Sequence, residues 1–317
     1  MTQPTLDFVA CTDPAGGHRM AYWQWGDPAA AHVVLCIHGL TRQGRDFDVL
    51  AQALLARAPG QLRVVCPDVV GRGRSDWLAD PMGYQVPQYA ADMVALVAQL
   101  QARQPIARLD VVGTSMGGLI GMVLAGHPEL PLAVPVRRLV LNDVGPAVEA
   151  AAIARIASYV GQGGRYASVQ AAADAMWQLS TGFGPHTPEQ WLALSVPMVV
   201  PAAARGEDGR RKLDGEAALG DGSVVLHYDP ALAQPIRAIT PEIAAQAEAA
   251  AWGLYDHIRT ATLVTRGAES DLLSASTAQA MTQRGPRARL IEFAGVGHAP
   301  TFVAPDQSTV VASFLLD

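Results

Sequence analysis

The sequence predicts an α/β fold: a mostly parallel, eight-stranded sheet with helices on both faces and an inserted, mostly helical cap. Three observations predict it. Short apolar runs alternate with helix-compatible stretches along both ends of the 317-residue chain, the pattern of a parallel sheet covered on both sides. That alternation breaks once, between Asn142 and Ala261, across more than a hundred residues. Finally, Gly113-Thr-Ser-Met-Gly117 sits directly between a strand-like run and a helix-like one, where a tight turn would expose a serine hydroxyl.

Taken in order, alternation around Thr5–Ala10 and Met20–Trp25 reads as two antiparallel strands before the first glycine-rich loop. Strands follow at 33–37, 62–66, 109–113, 138–142, 261–266 and 288–293, bounded by turn residues. Helical stretches fall between most of them, at Asp46–Ala58, Tyr89–Arg103, Gly117–Ala125 and Ser276–Arg284, with a last helix over Asp306–Leu316. In the interruption, Val148–Val160, Tyr166–Leu179, Pro188–Val196 and Pro241–His257 carry helical, alanine-rich patterns. A structureless loop of that length would be out of place in a compact domain. The expected organisation is therefore a core domain from 1–145 and 258–317, with a cap at 146–257 lying over the carboxyl ends of the strands. Within the cap, the charged, glycine-rich stretch from Arg205 to Glu216 reads as an exposed loop.

Composition narrows the function. Half the residues are hydrophobic, enough for a large core, and the net charge of −6 argues against a nucleic-acid or anionic-membrane partner. No apolar run approaches the ~18 residues of a membrane span, and Met1-Thr-Gln-Pro-Thr-Leu-Asp7 has neither the basic nor the apolar region of a secretory signal. Three cysteines, Cys11, Cys36 and Cys66, are an odd number without metal or redox spacing, and Cys36 and Cys66 lie in apolar strand runs. These features favour a cytoplasmic protein without disulfides. The histidines show no zinc-ligand spacing, so neither a metal nor a cofactor is expected.

The chemistry gathers where working residues of open α/β sheets collect, at the carboxyl ends of strands. Ser115 occupies the tight turn. Asp271 follows the strand at 261–266, and His298 follows the strand at 288–293 in a glycine-flanked loop. Asp143 also follows a strand, in Asn142-Asp-Val-Gly-Pro146, and reads as a loop-anchoring carboxylate. His38-Gly39-Leu40-Thr41-Arg42 closes another strand and can offer a backbone N–H to an oxyanion. Arg42 could reach a substrate's acyl or carboxylate end or form a surface ion pair. Trp177, Trp191, Trp252 and Met176 could line an apolar pocket, but at helical spacing they read first as packing. Asp68 is placed to tie together the Gly71–Ser75 loop.

Together, His38-Gly39, the Asp68…Gly71-Arg-Gly73…Ser75 loop, Gly113–Gly117, Asp271 and Gly297-His298 resemble the α/β-hydrolase superfamily, in its capped esterase and enol-lactonase-like branch. The resemblance runs from about Phe8 to Leu316 and leaves the middle poorly matched. It implies an α/β-hydrolase fold with Ser115 as nucleophile, His298 as general base, Asp271 as the acid that orients it, and the N–H groups of Leu40 and Met116 as oxyanion donors. Some relatives place the acid after the earlier strand, which would select Asp143. The implied reaction is metal-free cleavage of a small carboxylic ester or lactone through an acyl-enzyme. A C–C hydrolase of ring-cleavage products would use the same triad. A non-catalytic ligand-binding homologue would have no physical need of all three members.

Overall fold

The computed structural model describes residues 3–204 and 221–317, so the expected loop at 205–216 lies outside the described residues. Eight strands form the main sheet: β1 (Thr5–Cys11), β2 (His18–Gly26), β3 (His32–Ile37), β4 (Leu62–Pro67), β5 (Arg108–Thr114), β6 (Val136–Asn142), β10 (Ala261–Gly267) and β11 (Arg289–Phe293). Their order is β1-β2-β4-β3-β5-β6-β10-β11. β1 pairs antiparallel with β2, and β2 with β4, whereas every other neighbour is parallel. The sheet and its strand positions match the expected fold.

Burial explains the layers. Every residue of β3 and β4 is buried, as a strand covered on both faces requires. Successive side chains of β3 point to opposite sides. Val33, Leu35 and Ile37 therefore join one core with α2 (Val86–Arg103) and α3 (Met116–Gly126). Val34 and Cys36 join the other, with α1 (Asp48–Arg57) and α10 (Pro305–Leu316). All three cysteines are free and buried. α2 starts three residues before the expected Tyr89, with a proline in its first turn, where the missing N–H costs nothing. Among the described residues no helix is long and apolar enough to cross a membrane.

The interrupted region holds α4 (Ala150–Tyr159), β7 (Arg165–Tyr166), α5 (Val169–Ser180), α6 (Pro188–Ser195), β8 (Val199–Pro201), β9 (Val224–Leu226), α7 (Ala233–Arg237) and α8 (Pro241–His257). Two features differ from expectation. β7, β9 and β8 form a small antiparallel sheet; strands of two or three residues are too short to show a period in sequence. α8, expected in the cap, packs on the main core instead. Leu254 O lies 2.3 Å from where a Cβ on Gly126 of α3 would sit, and the Tyr255 hydroxyl donates to Met281 O at 2.7 Å from α9 (Ala275–Met281). Met176 and Trp191 fill the insertion's own small core with Ala172, Ala173 and Leu194, and Trp252 packs against the main core.

A buried polar cluster pins the β1–β2 hairpin to α2. His18 bonds Asp13 through Nδ1 at 2.8 Å and Asp92 through Nε2 at 3.1 Å. The Gln88 amide holds the other Asp92 oxygen at 2.8 Å, and the Cys11 thiol lies alongside. Both ring nitrogens of His18 are thus already taken, and the cluster needs no ion to be satisfied. Burial opposes the imidazolium, but Asp92 and then Asp13 outweigh it and raise the His18 pKa. A raised folded-state value means that the bonds stabilise the fold fully below the unfolded value, ~6.5, and less as pH climbs through the folded one. His18→Gln is expected to cost about 2 kcal/mol near pH 6, with the deficit shrinking by pH 9. Urea midpoints measured at the two values check this, and a deficit that grows with pH would contradict it.

Candidate active site

The Ser115 turn is built by close backbone packing. Ser115 stands between β5 and α3 at φ 52° and ψ −119°, a conformation that costs a non-glycine residue free energy and persists only where the surroundings enforce it. Its N–H donates to Asn142 O at 2.9 Å. A Cβ on Gly113 would fall 2.2 Å from Gly117 O, and one on Gly117 would fall 2.0 Å from Ile37 O. Glycine at both positions lets β5, α3 and β3 meet, and the serine is left at the corner.

His298 arrives from the loop after β11. Its Nε2 lies 2.9 Å from Ser115 Oγ, and its Nδ1 lies 2.7 Å from Asp143 Oδ2. With Nδ1–H donating to the carboxylate, Nε2 keeps its lone pair for the serine proton.

The carboxylate in this chain is Asp143, not the expected Asp271. Asp143 is fully buried and sits just past β6 at φ 54°. Its Oδ1 accepts the Gly267 N–H at 2.9 Å, and its Oδ2 also accepts the Ser270 hydroxyl at 2.6 Å. Asp271 lies in the same loop as Ser270 but points outward. Its side chain is 49% exposed and forms a two-point ion pair with Arg155 of α4, at 2.7 and 2.9 Å. Ser270 takes the place that faces Asp143, its oxygen also accepting the N–H groups of Leu272 and Leu273.

Other elements fix this geometry. The buried Asn142 amide donates to Thr114 Oγ1 at 3.0 Å and to Pro300 O at 2.7 Å, while its oxygen accepts the Thr265 hydroxyl at 2.9 Å. One side chain thereby links β5, β6, β10 and the His298 loop. From the insertion, Gly182 O accepts the Gly297 N–H at 2.6 Å. Neither contact carries a sequence signal beyond Asn142 standing at a strand end.

The His38 loop passes beside the serine, with the Cβ position of Gly39 3.6 Å from Ser115 Cβ. His38 is completely buried, bonding Gly39 O through Nδ1 at 2.7 Å and accepting the Val69 N–H at Nε2, 2.9 Å away. Burial, aided by the nearby Arg72 and Arg42 charges, pushes its pKa down to about 3, so it remains a neutral loop brace. Asp68 holds the following loop as expected, accepting N–H groups of Gly44 and Arg74 and the Trp23 indole; burial raises its pKa to about 6. Met116 is the first residue of α3, so its N–H has no acceptor within the helix. The insertion also reaches this loop: His227 accepts the Gly73 N–H at 2.6 Å and contacts Thr41 O at 3.2 Å.

Arg42 forms an ion pair, though a largely buried one and not the surface pair expected. It pairs with Asp46 at 2.6 and 2.7 Å and reaches Leu194 O at 3.3 Å. It is only 11% exposed, and its guanidinium lies 5.7 Å from the Phe183 ring centre. With Gly39, Thr114, Phe183 and Ala299 it lines a cavity of about 40 Å³ next to the serine turn. A wider groove of about 460 Å³ opens at the amino ends of the strands, around His32, Arg57 and Arg137. Arg57 pairs there with Asp317, and Arg137 and His32 pair with Asp110, so those charges serve one another.

Comparison with known proteins agrees with this architecture. The sequence model of the alpha/beta hydrolase family matches residues 34–312. The 3-hydroxybutyrate-oligomer hydrolase of Cupriavidus necator is 49% identical over 311 residues, covering 98% of this chain and 97% of that protein. The crystal structure of an alpha/beta hydrolase from Novosphingobium aromaticivorans superposes with a TM-score of 0.77 at 33% identity, across 99% of both chains. The chain belongs to the alpha/beta hydrolase family.

Proposed function

We propose that the protein is a metal-free serine hydrolase that cleaves esters of short hydroxy acids, 3-hydroxybutyrate oligomers foremost, through an acyl-enzyme. The observation that carries the reading is the unbroken chain Ser115 Oγ, His298, Asp143, joined at 2.9 and 2.7 Å on a strained, half-buried turn. In this mechanism His298 Nε2 takes the serine proton as Oγ attacks the ester carbonyl. Asp143 holds the imidazole tautomer and stabilises the imidazolium. The N–H groups of Met116 and Leu40 bind the oxyanion of the tetrahedral intermediate. Collapse releases the alcohol, protonated by His298, and water then repeats the sequence on the acyl-enzyme.

Substrate class rests on two supports. The Cupriavidus relative, which this chain matches over nearly its full length, is named for cleaving hydroxybutyrate oligomers. The cavity of about 40 Å³ beside the serine turn is small, which favours a short acyl group over a long one. Arg42 in its wall would meet an acyl or carboxylate oxygen. A small ester-linked lactone falls within the same chemistry.

A fluorophosphonate probe is expected to label the wild type at one site and to leave Ser115→Ala unlabelled. In parallel, 3-hydroxybutyrate dimer and trimer should be hydrolysed, and p-nitrophenyl esters should lose kcat/KM as the acyl chain passes about four carbons. Labelling that survives Ser115→Ala would end the serine mechanism. Inert oligomers beside an active p-nitrophenyl butyrate would end the substrate assignment alone.

A further inference from the structure

Arg72 presents an electrostatic anomaly. Its side chain is completely buried, yet among the described residues it makes no ion pair. Its donors go to neutral acceptors only: Leu40 O at 2.8 Å, Val70 O at 2.6 Å, the Tyr89 hydroxyl at 3.0 Å and Met116 Sδ at 3.5 Å. Its charge centre also lies 4.9 Å from the Tyr89 ring centre and 5.7 Å from that of Tyr84. A guanidinium cannot shed its proton to relieve burial. Buried charges are normally paired, because an unpaired one is strongly disfavoured. Among the described residues this cation has no anion beside it.

Its position suggests what supplies the missing charge. One end of the guanidinium bonds Leu40 O and the other touches Met116 Sδ, the two residues proposed above as oxyanion donors. Among the described residues no other side chain bonds both. We propose that Arg72 is a positioning residue that holds an unneutralised positive charge behind the oxyanion hole, and that the tetrahedral oxyanion is its electrostatic complement. This rests on the serine-ester reading above and adds to it a buried cation that never touches substrate. In a low-dielectric setting a fixed charge stabilises the anion that forms in the transition state much more than the neutral ester before it. The effect therefore belongs in kcat and leaves KM nearly untouched.

The test separates charge from packing. Wild type, Arg72→Gln, Arg72→Met and Arg72→Lys are compared on p-nitrophenyl butyrate, with two inhibitors. Butylboronic acid adds to the serine as a tetrahedral anion, whereas butyramide binds as a neutral ground-state mimic. The Gln and Met variants should lose about 100-fold in kcat and in boronate affinity, with KM and butyramide affinity within about threefold. Arg72→Lys, which keeps the charge, should stay within about tenfold of wild type for the boronate. Folded Gln or Met variants that keep boronate affinity would overturn the proposal. A folded Lys variant as weak as the neutral ones would overturn it too, by assigning the effect to the forked geometry. Should the neutral variants fail to fold, the Lys variant decides alone: a folded Lys variant whose boronate affinity falls about 100-fold while butyramide affinity holds would overturn the proposal, and one within about tenfold of wild type for the boronate would support it. Fluorophosphonate labelling of wild type reports separately on the serine reading itself.

Discussion

Asp143→Asn is expected to lower kcat by about 10⁴-fold, while Asp271→Asn leaves it within about twofold. An asparagine at 143 can offer its amide N–H to His298 Nδ1. That contact favours the tautomer with the proton on Nε2, where the serine needs a lone pair, and removes the charge that balances the imidazolium. At 271 the carboxylate, half in solvent, bonds Arg155 alone among the described residues. Losing that exposed pair costs ~1 kcal/mol of stability at most. Steady-state kinetics on p-nitrophenyl butyrate, with circular dichroism to confirm folding, distinguish the two. A large loss at 271 and a small one at 143 would reverse the assignment and require the loop after β10 to turn over in solution.

Gly117→Ala should be the most damaging substitution of its size in the chain. The new methyl would sit 2.0 Å from Ile37 O, 2.6 Å from Ile37 C and 2.9 Å from His38 O. All three are backbone atoms, of a central strand and of the oxyanion loop, and neither can yield without breaking pairing in the sheet. A loss of more than about 4 kcal/mol, or failure to accumulate folded protein, is expected. Gly253→Ala provides the control. It lies exposed in α8 with nothing within 4 Å of its Cβ position, so the same change there should stabilise by about 0.5–1 kcal/mol through helix propensity. Thermal melts of the two variants against wild type check the pair, and a Gly117→Ala protein that melts like wild type would refute the packing account.

The sheet was legible in sequence because its central strands are buried on both faces and therefore read as continuous apolar runs between turn residues. Ser115 and His298 were legible for a related reason, since each sits in a glycine-marked turn at a strand end. The acid was not. β6 and β10 are neighbours in the sheet, so Asp143 and Asp271 both leave strand ends at adjacent places. The choice between them turns on which residue of the second loop faces inward, and Ser270, a residue with no motif of its own, takes that place. Chain order cannot encode that outcome. The boundary of the insertion failed for another reason: an alanine-rich helix has the same pattern whether it covers a site or, like α8, packs behind the sheet. Arg72, Asn142 and His227 were invisible as a group because each acts between segments distant in sequence.

The bond from Gly297 N–H to Gly182 O bears on how such enzymes can be re-engineered. The insertion and the loop that carries His298 are fastened to each other, so they are not independent modules. Chimeras that exchange the whole insertion for a relative's would loosen His298 along with the specificity they aim to change. Grafts that keep Thr181–Gly184 native and replace only the flanking α5 and α6 would leave the base anchored. The usable recombination points therefore lie on either side of this turn, inside the insertion and not at its ends.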